Sequence, residues 1–155
     1  MKYNIQYIFL FIFLLLIGCK NKNSTKLFKN GMVVSAKVEA SNAGVEILKI
    51  GGNAFDAMIA TDLALSVVYP NAGNLGGGGF MVYRLSNGDN GTLDFREKSP
   101  LSSFENMFLD KLGNEIPNLS TKGALAVAVP GTIAGLFEVY RKFGSIPIEL
   151  IFEPA

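Results

Sequence analysis

Four consecutive glycines, residues 76–79, restrict the fold of this chain more than any other feature. Ordering a glycine costs on the order of 0.5–1 kcal/mol more than ordering an alanine, so an ordered run needs a structural reason. Two such reasons are possible: a positive φ angle, or close approach by another segment or a ligand. If neither applies, the run is a flexible loop without a role. Because Asn-Leu precedes the run and Phe-Met follows it, we favour an ordered segment.

The run does not fit a nucleotide-binding loop. Gly73 and Gly78 have the spacing of a Walker loop, but residues 79–80 are Gly-Phe where Lys-Ser/Thr is required. In a dinucleotide loop the third glycine would fall at Met81. The residues that follow predict a strand rather than the helix that both loops need, so neither nucleotide function is supported.

Composition excludes several kinds of catalytic site. The 155 residues suit one domain and contain no histidine and one cysteine, Cys19. A Ser-His-Asp triad, a Cys-His dyad, most zinc sites and an intrachain disulfide are therefore excluded within this chain. We predict no metal site and no cofactor.

The first residues resemble a bacterial lipoprotein signal peptide. Lys2 precedes an apolar stretch that ends at Ile17, which is shorter than the ~20 residues of a transmembrane helix. Residues 16–19, Leu-Ile-Gly-Cys, resemble a lipobox. That resemblance implies cleavage before Cys19, lipidation of Cys19 and a membrane-anchored lipoprotein at a periplasmic or extracytoplasmic location. The alternatives are a plain signal peptide with an incidental cysteine and a membrane-anchored N-terminus.

Three regions follow from this interpretation. Residues 1–18 are the signal peptide, residues 19–30 the lipidated cysteine and a polar tether, and residues 31–155 the globular domain. Cleavage would remove Lys2 and lower the basic count from 14 to 13, equal to the 13 acidic residues. A neutral chain without a basic run argues against nucleic acid as a partner.

The domain has mixed secondary structure, which predicts an α/β or α+β fold. Asn53 predicts an N-cap for an almost wholly apolar helix, and Asp56 lies in the first turn of that helix. The predicted helices cover residues 40–50, 54–68, 103–109 and 132–142. The predicted strands cover residues 32–36, 80–85, 92–95 and 124–129. The strands at residues 80–85 and 92–95 are predicted to form a hairpin.

Arg96 is the candidate substrate-binding residue. It follows a predicted strand within residues 94–97, Asp-Phe-Arg-Glu. The planar guanidinium of arginine matches the two oxygens of a carboxylate, although most arginines in such positions are surface or ion-paired residues. Asp94 and Glu97 could hold Arg96 in place or could simply be solvated.

Four segments in order resemble the γ-glutamyltransferase family, specifically the N-terminal part of its large subunit. They are residues 44–57 with Gly-Gly-Asn-Ala-Phe-Asp-Ala, residues 71–80 with the glycine run, residues 94–97, and residues 128–136 with Pro-Gly-Thr-Ile-Ala-Gly. The resemblance extends over about residues 31–155.

This resemblance implies an Ntn-hydrolase fold, a four-layer αββα sandwich of which the chain holds an incomplete N-terminal part. It also implies a precursor that cleaves itself into two subunits and exposes an N-terminal threonine on the small subunit. That threonine attacks the γ-glutamyl carbonyl of glutathione or a related donor, and the glutamyl group passes to water or to an amino acid. Arg96 would bind the α-carboxylate of the donor, and no catalytic residue is expected in this chain.

Two alternatives remain at this point. A related Ntn acylase could act on another amide, but such an amide has no glutamyl α-carboxylate for Arg96 to bind. The end of the sequence at Ala155, before any threonine in the family's nucleophile context, also leads us to consider a truncated and catalytically inactive lipoprotein fragment.

Overall fold

A computed structural model describes residues 28–155, and residues 31–155 form a compact unit. The elements in chain order are helix α1 (Val38–Lys49), helix α2 (Ala54–Val68), strand β1 (Phe80–Arg84), strand β2 (Asn90–Asp94), a 3-10 turn (Ala124–Ala126), helix α3 (Thr132–Phe143) and helix α4 (Ile148–Phe152). This mixture confirms the α/β (α+β) class. No helix in residues 28–155 has the length and apolar character needed to cross a membrane. The predicted signal peptide, Cys19 and most of the predicted tether lie outside the described residues.

Helices α1 and α2 pack closely through small residues. Ala40, Ala43 and Ala64 are buried between the two helices. A Cβ atom on Gly44 would overlap Thr61 Oγ1 and lie 3.0 Å from the Ala57 carbonyl oxygen, so glycine permits the close approach. The predicted bounds of α2 are confirmed, and α1 begins two residues earlier than predicted.

A capping box fixes the start of α2 and also joins it to the end of α3. The Asn53 side chain accepts hydrogen bonds from the backbone N–H groups of Phe55 (2.8 Å) and Asp56 (3.1 Å), and Asp56 accepts one from Asn53 N (2.9 Å). Asp56 is fully buried and also accepts from Ser145 N (3.2 Å) and Ser145 Oγ (2.5 Å). Asn53 Nδ2 donates to the Phe143 carbonyl at 2.6 Å. Asn53 and Asp56 therefore connect the start of α2 to the end of α3, about 90 residues later in the sequence.

The predicted hairpin is confirmed, and its register determines which face meets the core. β1 and β2 are antiparallel, with Phe80 opposite Asp94. Met81 is buried in the same cluster as core residues of the helices. The ring centroids of Tyr83 and Phe143 are 4.8 Å apart. Val82, on the other face of the strand, is 81% exposed, so only one face of the hairpin is covered by residues 28–155.

Three predicted elements are wrong or only partly right. Residues 32–36 are extended but pair with no strand among the described residues, and Met32 and Val34 are exposed. Residues 103–109 form turns rather than a helix. In residues 124–129, a 3-10 turn replaces the first half of the predicted strand, and only Val129 makes a β-bridge, to Lys98. An apolar run of four to six residues does not by itself determine its conformation, which depends on the partner it meets.

Candidate carboxylate-binding site

The glycine run extends the hairpin past β1. Gly79 and Phe95 exchange two backbone hydrogen bonds, 3.4 Å from Gly79 N and 3.0 Å from Phe95 N. Continuing this register by one residue places Gly78 opposite Arg96. None of the four glycines has positive φ, whereas a Cβ atom on Gly78 would lie 2.6 Å from the Phe95 carbonyl oxygen. Close approach is therefore the reason for glycine at position 78, and the alternative of a loop without a role is wrong.

The segment before α3 lies on the other side of Arg96. Lys98 and Val129 exchange backbone hydrogen bonds of 3.1 and 2.8 Å. Gly131 N and Thr132 N both donate to the carbonyl oxygen of Gly77, at 2.8 and 3.1 Å. The glycine run, the arginine segment and the start of α3 are thus joined by backbone hydrogen bonds.

Helix α3 accommodates Phe95 through two glycines one helical turn apart. A Cβ atom on Gly131 would overlap the Phe95 carbonyl oxygen, and one on Gly135 would overlap the Phe95 side chain. Their spacing places both on the same face of the helix. This role was not predicted from the sequence, although the four-residue spacing of the glycines in the Pro-Gly-Thr-Ile-Ala-Gly segment is a signal for it.

Both acidic neighbours hold Arg96, which settles a question that the sequence left open. Asp94 Oδ1 accepts a hydrogen bond from the Arg96 backbone N–H at 3.0 Å, and Glu97 Oε2 accepts one from Arg96 Nε at 3.0 Å. The backbone N–H of Glu97 itself, followed by the hydrogen bond from Arg96, lowers the pKa of the Glu97 carboxyl. Glu97 therefore stays ionised at neutral pH and holds one edge of the guanidinium.

The other edge of the guanidinium remains open. Among residues 28–155, no hydrogen bond reaches the two terminal nitrogens of Arg96, whose side chain is 61% exposed. Its Cζ lies 5.7 Å from the centroid of the Phe80 ring, within the range of a cation–π contact. An arginine held through Nε, with its terminal nitrogens unbound, can donate two parallel hydrogen bonds to the oxygens of a carboxylate.

An open cleft of about 270 Å³ adjoins this arginine. Arg96 and Lys98 supply positive charge, and Pro130 and Ala134 form part of the apolar wall. Glu138 also borders the cleft, but it is bound to Arg141 and Lys142 at 2.8 and 3.0 Å. Hydrogen bonds from Arg141 first and then from Lys142 lower the pKa of Glu138 to about 2. Asp94 also lines the cleft, and its Oδ1 accepts the hydrogen bond from Arg96 N. The cleft therefore has no excess of positive charge, and the group in it that can bind an anion is the exposed terminal edge of Arg96.

Solved structures define the class of protein to which this fold belongs. γ-Glutamyltranspeptidase from Helicobacter pylori matches with a TM-score of 0.80 at 50% identity, over 84% of this chain and 37% of that chain. The enzyme from Pseudomonas nitroreducens complexed with L-DON matches with a TM-score of 0.77 at 41% identity, over 83% of this chain and 38% of that chain. The residues described here are therefore part of an Ntn-hydrolase fold, as the resemblance implied.

Sequence comparison gives the family. The family described as Gamma-glutamyltranspeptidase matches residues 40–155. A glutathione hydrolase proenzyme from Pseudomonas sp. (strain A14) is 54% identical over 127 residues, which are 82% of this chain and 22% of that protein. The chain belongs to the γ-glutamyltranspeptidase family. It spans about a fifth of the length of this curated relative.

Proposed function

We propose that the full-length protein hydrolyses or transfers γ-glutamyl groups, with glutathione as a donor, and that this segment supplies scaffold and the carboxylate-binding Arg96. One observation carries the assignment of Arg96. Its guanidinium is fixed through Nε by Glu97, while its terminal nitrogens, beside a cleft, receive no hydrogen bond from the part of the chain that the structure describes. The membership of the chain in a family whose relatives are named glutathione hydrolases supports the reaction.

The proposed reaction divides the work between two subunits of one precursor. Arg96 binds the α-carboxylate of the donor, which fixes the position of the γ-carbonyl group. An N-terminal threonine of the small subunit attacks that carbonyl, and its own α-amine accepts the hydroxyl proton. The C–N bond breaks, the amine leaves with a proton, and water or an amino acid then takes the glutamyl group. This division needs no histidine from residues 1–155, which contain none.

A pair of chromogenic donors tests the proposal. The full-length enzyme is assayed with γ-glutamyl p-nitroanilide and with 4-aminobutyryl p-nitroanilide, which differs only by lacking the α-carboxylate. We expect kcat/KM to be at least about tenfold higher for the first, because a charge-assisted bidentate contact contributes more than about 1.4 kcal/mol. Comparable values for the two donors would instead favour an acylase of the same superfamily.

We also propose that Cys19 carries a lipid and anchors the mature protein to a bacterial membrane on its extracytoplasmic side. The support is the Leu-Ile-Gly-Cys sequence at the end of the apolar leader. Several acyl chains hold a protein to a bilayer much more firmly than one. Labelling of cells with a radioactive or clickable fatty acid should mark the wild type and leave Cys19→Ser unlabelled and uncleaved. Equal labelling of both proteins would refute the anchor.

A further inference from the structure

We propose that Gly78 and Gly131 are positioning residues for Arg96, acting by holding the backbone of residues 95–97 from both sides. We call these two residues the glycine clamp. The inference rests on the proposed function of Arg96 and extends it to two residues that cannot touch the substrate through a side chain.

Gly78 forms the first side of the clamp. A Cβ atom there would lie 2.6 Å from the Phe95 carbonyl oxygen, 2.8 Å from Glu97 N and 2.9 Å from Arg96 Cα. All three atoms belong to the backbone of the arginine segment, so they cannot yield by a change of rotamer as a flexible side chain would. Any larger residue at position 78 must push the backbone that carries Arg96.

Gly131 forms the second side. A Cβ atom on it would overlap the Phe95 carbonyl oxygen and lie 2.8 Å from the Arg96 carbonyl oxygen. The hydrogen bonds from Gly131 N and Thr132 N to Gly77 O join the two sides. The arginine segment therefore cannot move away from a side chain on one flank without meeting backbone on the other.

Displacement of this segment would change how the donor is held. The hydrogen bond of 3.0 Å between Arg96 Nε and Glu97 sets the direction in which the terminal nitrogens point. Bidentate binding requires both parallel hydrogen bonds at once. A shift of about 1 Å in a positioned group can lower catalysis by on the order of 10²-fold.

The experiment measures the carboxylate preference, defined as kcat/KM for γ-glutamyl p-nitroanilide divided by kcat/KM for 4-aminobutyryl p-nitroanilide. This quotient does not depend on the fraction of enzyme that is folded and active. We expect Gly78→Ala to lower the preference by about tenfold. Gly76→Ala is the matched control, because its Cβ would meet only Asn74 Oδ1, at 3.1 Å, and no atom of the arginine segment. The control should keep the preference within about twofold.

Gly131→Ala tests the second side of the clamp. Its Cβ would overlap the Phe95 carbonyl oxygen and lie 2.8 Å from the Arg96 carbonyl oxygen, so we expect the preference to fall in this variant as well. If Gly78→Ala gives no active enzyme, this variant decides, because an unchanged preference in Gly131→Ala overturns the clamp. Loss of all active enzyme in both variants would also overturn the positioning role, since the glycines would then be required for folding alone.

The outcomes distinguish this inference from the function on which it rests. If the wild type has no carboxylate preference, the proposed role of Arg96 fails. If the wild type has the preference and Arg96→Ala removes it, but Gly78→Ala retains it, only the glycine clamp is overturned.

Discussion

Replacing Arg96 with alanine in the full-length enzyme is expected to raise the KM for a γ-glutamyl donor and to lower kcat/KM by about 10- to 150-fold. Loss of the charge-assisted bidentate contact as a whole costs about 1.5–3 kcal/mol, and 1.4 kcal/mol corresponds to a factor of ten. The variant removes both terminal nitrogens and leaves the α-carboxylate of the donor without a bidentate partner. Steady-state kinetics with γ-glutamyl p-nitroanilide measures the effect.

Arg84→Ala is the matched control for this variant. Arg84 is also an exposed arginine, at the end of β1, and it does not line the cleft beside Arg96. Its loss should leave the donor KM within about twofold. An Arg96→Ala enzyme with the same KM as Arg84→Ala would remove Arg96 from the donor site.

Replacing Asp56 with alanine is expected to lower the free energy of unfolding by about 3 kcal/mol. The buried carboxylate accepts hydrogen bonds from Asn53 N, Ser145 N and Ser145 Oγ. Ser145 lies at the surface, so water replaces part of its two hydrogen bonds, and loss of the bonds to the carboxylate costs about 2 kcal/mol in total. Loss of the capping interaction adds about 1 kcal/mol. Chemical denaturation of the full-length enzyme, followed by circular dichroism, gives the change.

Glu39→Ala provides the comparison for Asp56→Ala. Glu39 is likewise an acidic residue in the first turn of a helix, but it is exposed and α1 has no side-chain hydrogen bond at its cap. Its interaction with the helix dipole accounts for about 0.3–1 kcal/mol. If the two variants lose equal stability, the buried contacts between α2 and Ser145 contribute nothing beyond the helix terminus.

The sequence predicted the elements whose ends carry local signals. Asn53 and Pro70 delimit α2, and Gly144 follows the last residue of α3, so both helices could be read from capping and helix-breaking residues. The turn-forming residues between β1 and β2 likewise identified the hairpin. These signals act over a few residues and need no knowledge of the rest of the fold.

The contacts that build the site depend instead on residues distant in sequence. Asp56 and Ser145 are 89 residues apart, and nothing in the local pattern around Asp56 identifies its partner. The glycine run suggested close approach but did not reveal that Gly78, rather than its neighbours, faces the Arg96 backbone. The predicted strand at residues 32–36 is wrong for a related reason, because strand formation requires a partner at the correct position.

In the proposed donor site, the Arg96 guanidinium binds the α-carboxylate of a γ-linked glutamate. A crystal structure of the full-length enzyme with glutamate bound would show whether this contact forms. We expect both terminal nitrogens of Arg96 to lie about 2.7–2.9 Å from the two carboxylate oxygens, with Nε still bound to Glu97. A structure in which Arg96 points away from the glutamate, and another group binds its α-carboxylate, would contradict the account.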